Sequence, residues 1–123
     1  MKAVRGRSND DEARAAFARL VNMSSREIEA WHHTEHSKSV GQDSGDGVSV
    51  GVKAGQRTLQ LLRIKRAPNA DDIKHMRRVV SFIRRLAAQA PRRKREISRW
   101  RYALMNWGHD PLRVHDADSP WRD

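Results

Sequence analysis

Residues 69–90, NADDIKHMRRVVSFIRRLAAQA, decide the fold of this chain of 123 residues. Their apolar side chains recur three and four positions apart, which is the spacing that lines one face of an α-helix. The apolar stripe consists of Ile73, Met76, Val80, Ile83, Ala87 and Ala90, widened by Val79 and Leu86. At about 1.5 Å per residue such a helix is roughly 30 Å long, the diameter of a small domain. The pattern therefore predicts a long central amphipathic helix over residues 69–90.

Residues suited to helix ends flank this stretch. Asn69 can cap the first turn, because its side-chain oxygen can accept a hydrogen bond from a backbone N–H. Asp71 and Asp72 suit the positive end of the helix dipole, and Pro91 cannot continue a helix.

The opposite face of the predicted helix is cationic. Since successive residues are rotated by about 100°, five basic side chains point away from the apolar stripe. These are Lys74, Arg77, Arg78, Arg84 and Arg85, and the chain continues after Pro91 with Arg92, Arg93, Lys94 and Arg95. A guanidinium can donate two parallel hydrogen bonds to the oxygens of one phosphate. Phosphates accept most protein–DNA hydrogen bonds. The nine residues are therefore the candidate nucleic-acid-binding site.

Charge is distributed unevenly along the chain, whose net charge is +10. Residues 53–101 contain sixteen Lys and Arg against three acids, a net charge of +13, and the remainder carries −3. A solvated helix face normally interleaves acids with bases at i,i+4 spacing. Coding bias would explain the abundance of arginine, but it does not explain why the acids avoid the middle of the chain. The asymmetry indicates a polyanionic partner.

The rest of the sequence predicts an all-α fold, a compact bundle of about five helices around the central one. A first helix begins at residues 8–11, and Ser24 and Glu27 form a capping box for a second helix that fades near Ser37. A further helix is expected over residues 52–66, and a last one ends at Gly108. The expected inward positions are Ala13, Phe17, Leu20, Val21, Ile28, Trp31, Gly55, Leu59, Leu62, Ile97, Trp100, Leu104 and Trp107.

One helical domain is expected over residues 9–112, with a glycine-rich loop at 38–51 and flexible tails at 1–8 and 113–123. The loop matches neither of the phosphate-binding patterns GxxxxGK[ST] and GxGxxG, so we interpret it as a connector. The chain contains no cysteine and no apolar run typical of a signal peptide or a membrane span. These features favour a soluble cytoplasmic protein.

Groups suited to catalysis or metal binding are sparse. His32 and His36 are four residues apart in WHHTEH, but no third ligand is evident, so we expect a solvated helix end there. His109 and Asp110 are adjacent in NWGHDP (106–111), where a capped corner packed by Trp107 is the simpler interpretation. The sequence predicts no enzyme, no metal, no cofactor and no small-molecule substrate. Three of the four tryptophans lie on apolar faces, and Trp121 lies in the tail.

One feature of the sequence is shared with the helix–turn–helix motif. The turn at residues 67–69 has the right length. A recognition helix, however, usually presents its first residues to the base edges, and here these include Asp71 and Asp72, which phosphates would repel. Binding along the side of the helix is the better geometry.

Four segments resemble a known family: LVNMSSREIEAW (20–31), SVG (39–41), HMRRVV (75–80) and SRWRYALMNWGHDPLR (98–113). Together they resemble a family of small bacterial and fungal proteins that is catalogued as a domain of unknown function. The similarity spans roughly residues 12–113, and some members carry the label DNA-binding protein. The resemblance implies DNA binding without assigning a site.

The sequence thus predicts a protein that contacts double-stranded DNA mainly at phosphates, with low sequence specificity and a nucleoid-associated or accessory role. Two alternatives remain open: a module that binds an acidic protein, and an RNA-binding module. Binding to an anionic membrane is disfavoured because the apolar stripe is needed for the core.

Overall fold

Six α-helices and one short 3-10 turn account for the regular structure of residues 5–41 and 45–113, the residues that the computed structural model describes. The helices are α1 Arg5–Leu20, α2 Ser25–His32, α3 Glu35–Lys38, α4 Val50–Arg63, α5 Ala70–Ala87 and α6 Arg99–Asn106, and the 3-10 turn is Arg95–Ile97. This part of the chain contains no β-strand, which confirms the predicted all-α class.

Helix α5 is the predicted central helix. Its N-terminus is a capping box: the Asn69 side chain accepts from the Asp72 N–H at 2.9 Å, and the Asp72 carboxylate accepts from the Asn69 N–H at 3.0 Å. The helix ends at Ala87, three residues before the predicted end. The indole N–H of Trp100 donates to the Leu86 carbonyl at 2.7 Å, so a residue of α6 satisfies an acceptor that the next helical turn would otherwise use.

The apolar stripe of α5 lies in the core. Buried residues of α5 include Ile73, Met76, Val79, Val80, Ile83 and Ala87. Helix α1 packs along α5 and contributes Ala16, Phe17 and Leu20, while α6 and the residue after it contribute Trp100, Leu104 and Trp107. Burial of one large apolar side chain is worth about 1.5–3 kcal/mol, so this stripe supplies much of the driving force for folding. None of the described helices is long and apolar enough to cross a bilayer.

Several boundaries differ from the sequence prediction. Helix α1 already begins at Arg5. The second helix breaks at His33, and Thr34 caps the separate helix α3 by accepting from the Ser37 N–H at 3.1 Å. Helix α4 begins at Val50 because Ser49 caps its first turn, and it ends at Arg63, three residues early. These shifts add a sixth helix without changing the class.

Two residues expected in the core are exposed. Ile97 is 62% exposed and Leu62 is 40% exposed. Ile97 belongs to the 3-10 turn, and Ser98 then caps α6 as a new helix, so Ile97 does not continue the apolar face of α6. Leu62 lies in the last turn of α4. The predicted inward orientation is wrong for these two positions.

The residues after α6 close the fold against the corner between α1 and α2. Gly108 adopts a φ of 99°, a left-handed conformation that ends the helix. The Asn22 side chain accepts from the Asp110 N–H at 2.8 Å and donates to the Asp110 carbonyl at 3.0 Å. The Arg101 guanidinium donates to both Asp110 oxygens, at 3.1 and 3.0 Å. The NWGHDP run thus has a structural role: it fixes the end of α6 to the corner between α1 and α2. Asp110 contributes to this role as the ion-pair partner of Arg101.

Arg113, which the sequence prediction includes in the tail, is also held in place. Its guanidinium donates to both Glu27 oxygens, at 2.8 and 2.7 Å, and to the Asn22 carbonyl at 2.9 Å. The tail predictions for residues 1–4 and 114–123, including Trp121, lie outside the described residues, as do positions 42–44 of the glycine-rich loop.

Asn106 is the centre of a buried polar cluster that joins α2, α3, α4 and α6. Its side-chain oxygen accepts from the Trp31 indole at 2.7 Å and from the Ser37 hydroxyl at 2.5 Å. Its backbone carbonyl accepts from His32 Nε2 at 2.9 Å. Gly55 of α4 approaches this carbonyl so closely that a Cβ on Gly55 would lie 1.9 Å from the Asn106 oxygen. Only a residue without a side chain allows this crossing.

Candidate functional site

The predicted site residues lie on α5 and in the segment that follows it. Lys74, Arg77, Arg78, Arg84 and Arg85 are exposed on α5, and Arg92, Arg93 and Lys94 are exposed in the loop between α5 and the 3-10 turn. Arg95 is half-buried, and its Nε donates to the Pro91 carbonyl at 2.7 Å. Arg95 thus differs from the others because it helps to form the turn after Pro91.

The predicted site residues differ in whether they pair with a carboxylate. Within the described residues, no acidic side chain forms an ion pair with Lys74, Arg78, Arg84, Arg85, Arg92, Arg93 or Lys94, which we call the unpaired cations. The carboxylates that do form ion pairs form them with other basic residues, for example Glu29 with Arg63 and Asp46 with Lys53. Arg84 and Arg85 also complement the negative end of the α5 dipole, but that role does not extend to Lys74 or Arg78.

One side of the α5 cationic face borders α1. Arg77 forms an ion pair with Asp10 of α1, so Arg77 differs from its neighbours. A groove of about 620 Å³ runs between the two helices. Its lining includes Glu12 of α1 and Arg77, Ser81, Arg84 and Arg85 of α5. This side of the face therefore combines guanidinium groups with carboxylates.

The other side of the face borders aromatic rings. The rings of Phe82 and Trp107 stack with centroids 4.0 Å apart. The guanidinium carbon of Arg78 lies 5.4 Å from the centre of the Trp107 ring, and that of Arg85 lies 6.0 Å from the centre of the Phe82 ring. Such cation–π contacts hold a guanidinium in place without neutralising it.

Sequence reasoning missed two arginines that pair with an acid in the first turn of α5, one from α4 and one from the loop between α4 and α5. Arg66 donates to Asp72 at 2.6 Å, and Arg57 lies 3.5 Å from the other oxygen of the same carboxylate. The Arg66 hydrogen bond holds the pKa of Asp72 below its usual range. Asp72 is buried and paired, so Asp71 is the exposed acid of this turn. The sequence does not predict the pairing of Arg66 with Asp72. The two residues are six positions apart, and a loop whose geometry the sequence does not define separates them.

The histidines in WHHTEH do not face a common point. His32 is half-buried and bonded to the Asn106 carbonyl, and His36 stacks on Tyr102 with ring centroids 4.6 Å apart. The expectation of a solvated helix end is therefore wrong for His32, because α6 approaches it from far along the chain. No group of three or more His, Asp or Glu side chains suited to a metal ion occurs within residues 5–41 and 45–113.

Two other histidines are buried in neutral form. Burial lowers the pKa of His75 to about 4, helped by the charges of Arg57 and Arg78. Burial likewise lowers the pKa of His109 to about 4, although its Nδ1 donates to the Leu20 carbonyl at 2.5 Å. Both pKa values lie below the usual 6.5.

These pKa values predict a loss of stability in mild acid. Between pH 6.5 and pH 4 the unfolded chain binds protons at His75 and His109 that the folded chain does not bind. Stability is therefore complete above pH 6.5 and falls by up to about 1.4 kcal/mol per pH unit for each histidine. Urea unfolding measured from pH 7.5 to 4.5 should show this slope, and His75→Gln should reduce it. An unchanged slope in that variant would contradict the assignment.

The comparisons place the chain in a family. A family model described as a protein of unknown function (DUF3140) matches residues 16–105. The match begins within α1 and ends within α6, so the NWGHDP run at 106–111 lies just beyond it. The comparisons with curated proteins and with solved structures each found no match. Because the model covers well over half of the sequence, the chain belongs to the DUF3140 family of proteins of unknown function.

Proposed function

We propose that this protein binds double-stranded DNA through the phosphate backbone, with low sequence preference, in an accessory or nucleoid-associated role. The observation that carries the proposal is the set of seven unpaired cations on α5 and the following loop. Concentrating so many like charges on one helix and the loop after it costs stability through self-repulsion. A polyanionic ligand supplies the missing negative charge, and the resemblance to a family with DNA-binding labels agrees with this role.

The geometry favours contact along the side of α5. Its 18 residues extend about 27 Å at 1.5 Å per residue. B-DNA carries a phosphate about every 3.4 Å of helix axis on each strand, so such a length can meet several phosphates. The N-terminal end is less suitable because Asp71 is exposed there. The proposed contacts are therefore ionic and arranged along the helix, which gives affinity without base recognition.

The proposal is tested by replacing Arg84 and Arg85 with alanine. We expect weaker binding to all DNA sequences alike, because phosphate contacts carry no sequence information. The salt dependence of log K should become less steep by roughly one unit for each arginine–phosphate ion pair that the substitutions remove. Gel shifts over a salt series provide the measurement. The matched control is the Arg26→Ala, Lys38→Ala pair, which removes two exposed charges from α2 and α3 and should change affinity much less.

The same series separates the alternatives. It should include RNA and poly-glutamate beside double-stranded DNA. Tighter binding to RNA would favour the RNA-binding module, and preference for poly-glutamate would favour an acidic protein partner. If the Arg84, Arg85 variant lost affinity for one DNA sequence only, this would indicate base recognition and contradict binding through the phosphates. If the Arg84, Arg85 variant bound DNA as tightly as the parent, the cationic face would not be the binding surface.

A further inference from the structure

The two sides of the α5 cationic face offer a polyanion different surroundings. On the α1 side, Asp10 pairs with Arg77, and Glu12 lines the groove that Arg77 and Arg84 also line. A phosphate strand there would approach carboxylates and would compete with Asp10 for Arg77. Such like-charge approach is unfavourable, particularly at low salt.

The opposite side, which carries Lys74, Arg78 and Arg85, borders the stacked rings of Phe82 and Trp107. The acids of α5 are Asp71 and Asp72, both in its first turn. The exposed Asp71 lies one turn before Lys74 but about 10 Å of helix before Arg78. Arg85 borders the α1 groove as well, but its guanidinium lies over the Phe82 ring. A phosphate strand that contacts Arg78 and Arg85 on this aromatic side is therefore at least about 10 Å along the helix from the exposed acid of α5.

The rings also order the arginines. A guanidinium that lies over an aromatic face uses its π surface, and N–H groups on its edge stay available for a phosphate. For Arg85 these are the terminal N–H groups, because its Nε donates to the Ser81 carbonyl at 3.4 Å. An arginine side chain that moves freely in solvent loses rotamer entropy when a ligand fixes it. Contacts that already restrict the side chain reduce this loss on binding.

We propose that the phosphate backbone runs along the aromatic side of α5, and that Phe82 and Trp107 are positioning residues for Arg85 and Arg78. This inference rests on the proposed function and names the part of the face that carries it. Arg77 and Arg84, on the α1 side, then contribute little to binding, and the loss of affinity in the Arg84, Arg85 variant comes mainly from Arg85.

Two double variants of equal charge test the choice of side. Arg78→Ala with Arg85→Ala should lower DNA affinity at least tenfold at low salt and reduce the salt slope by about two. Arg77→Ala with Arg84→Ala removes the same charge from the same helix and should lower affinity less than about threefold. If the two variants lost DNA affinity equally, the inference would be overturned and the proposed function would remain intact. No loss in either variant would overturn both.

A variant of Phe82 tests the positioning role separately. Phe82→Leu keeps an apolar side chain but removes the ring beneath Arg85, and we expect affinity about two- to fivefold lower. The salt slope should stay unchanged because no charge is removed, and Phe82→Tyr should bind like the parent. Unchanged affinity in folded Phe82→Leu, checked by circular dichroism, would exclude positioning by the ring. A reduced salt slope would mean that the substitution displaced a cation instead, which would also contradict the positioning role.

Discussion

Replacing Ile83 with aspartate is expected to unfold the protein at room temperature. Ile83 is completely buried at the middle of the α5 stripe, where a carboxylate would have neither water nor a cationic partner. Burial of an unpaired charge and loss of a large apolar side chain together exceed about 4 kcal/mol. A domain of this size has a total stability of about 5–15 kcal/mol, so the variant should lose most or all of it. Circular dichroism with thermal melting measures the effect.

The matched control is Ser81→Asp on the same helix. Ser81 is exposed among the arginines, so the same new carboxylate stays in water close to cations. Its melting temperature should remain within a few degrees of the parent, because surface substitutions usually change stability by no more than about 0.5 kcal/mol. A folded Ile83→Asp variant with the parent's melting temperature would show that Ile83 lies outside the core.

Replacing Gly55 with alanine should destabilise the protein, although alanine ordinarily favours a helix. In an exposed helix the exchange gains about 0.8–1 kcal/mol. Here the added Cβ would lie 1.9 Å from the Asn106 carbonyl oxygen and 2.6 Å from two atoms of the His32 ring. The oxygen belongs to the backbone, so α4 and α6 must separate and the His32–Asn106 hydrogen bond must weaken. We expect a loss of about 3 kcal/mol or more.

At Gly55 the expected change in the free energy of unfolding is opposite in sign to the usual effect of replacing glycine with alanine in a helix. Gln56→Ala, at the exposed neighbouring position of α4, should alter the free energy of unfolding by less than about 0.5 kcal/mol. Urea denaturation at pH 7.5 compares the two variants with the parent. A Gly55→Ala protein as stable as the parent would mean that α4 and α6 do not cross at this point.

The sequence of residues 69–90 by itself determined the central helix, its capped start and the separation of an apolar from a cationic face. These features depend on side-chain periodicity and on interactions three or four residues apart, which are local in the chain. Periodicity in the other helices likewise placed Ile28, Phe17 and Trp100 in the core. It also predicted that the five basic residues of α5 in the candidate site are exposed, because position on a helix surface follows from the rotation per residue.

The contacts that make those cations differ from one another come from the packing of distant helices. Arg77 pairs with a carboxylate, whereas Arg78 and Arg85 lie beside aromatic rings. Asp10 and Arg77 are 67 residues apart, yet they pair because α1 packs along α5. Trp107 supports Arg78 because the end of α6 reaches the α5 face. The partners of Asn106 and the close approach at Gly55 arise in the same way, from contacts between distant elements. Periodicity predicts the direction in which a side chain points, whereas the element that it meets there is fixed by the packing of the whole chain.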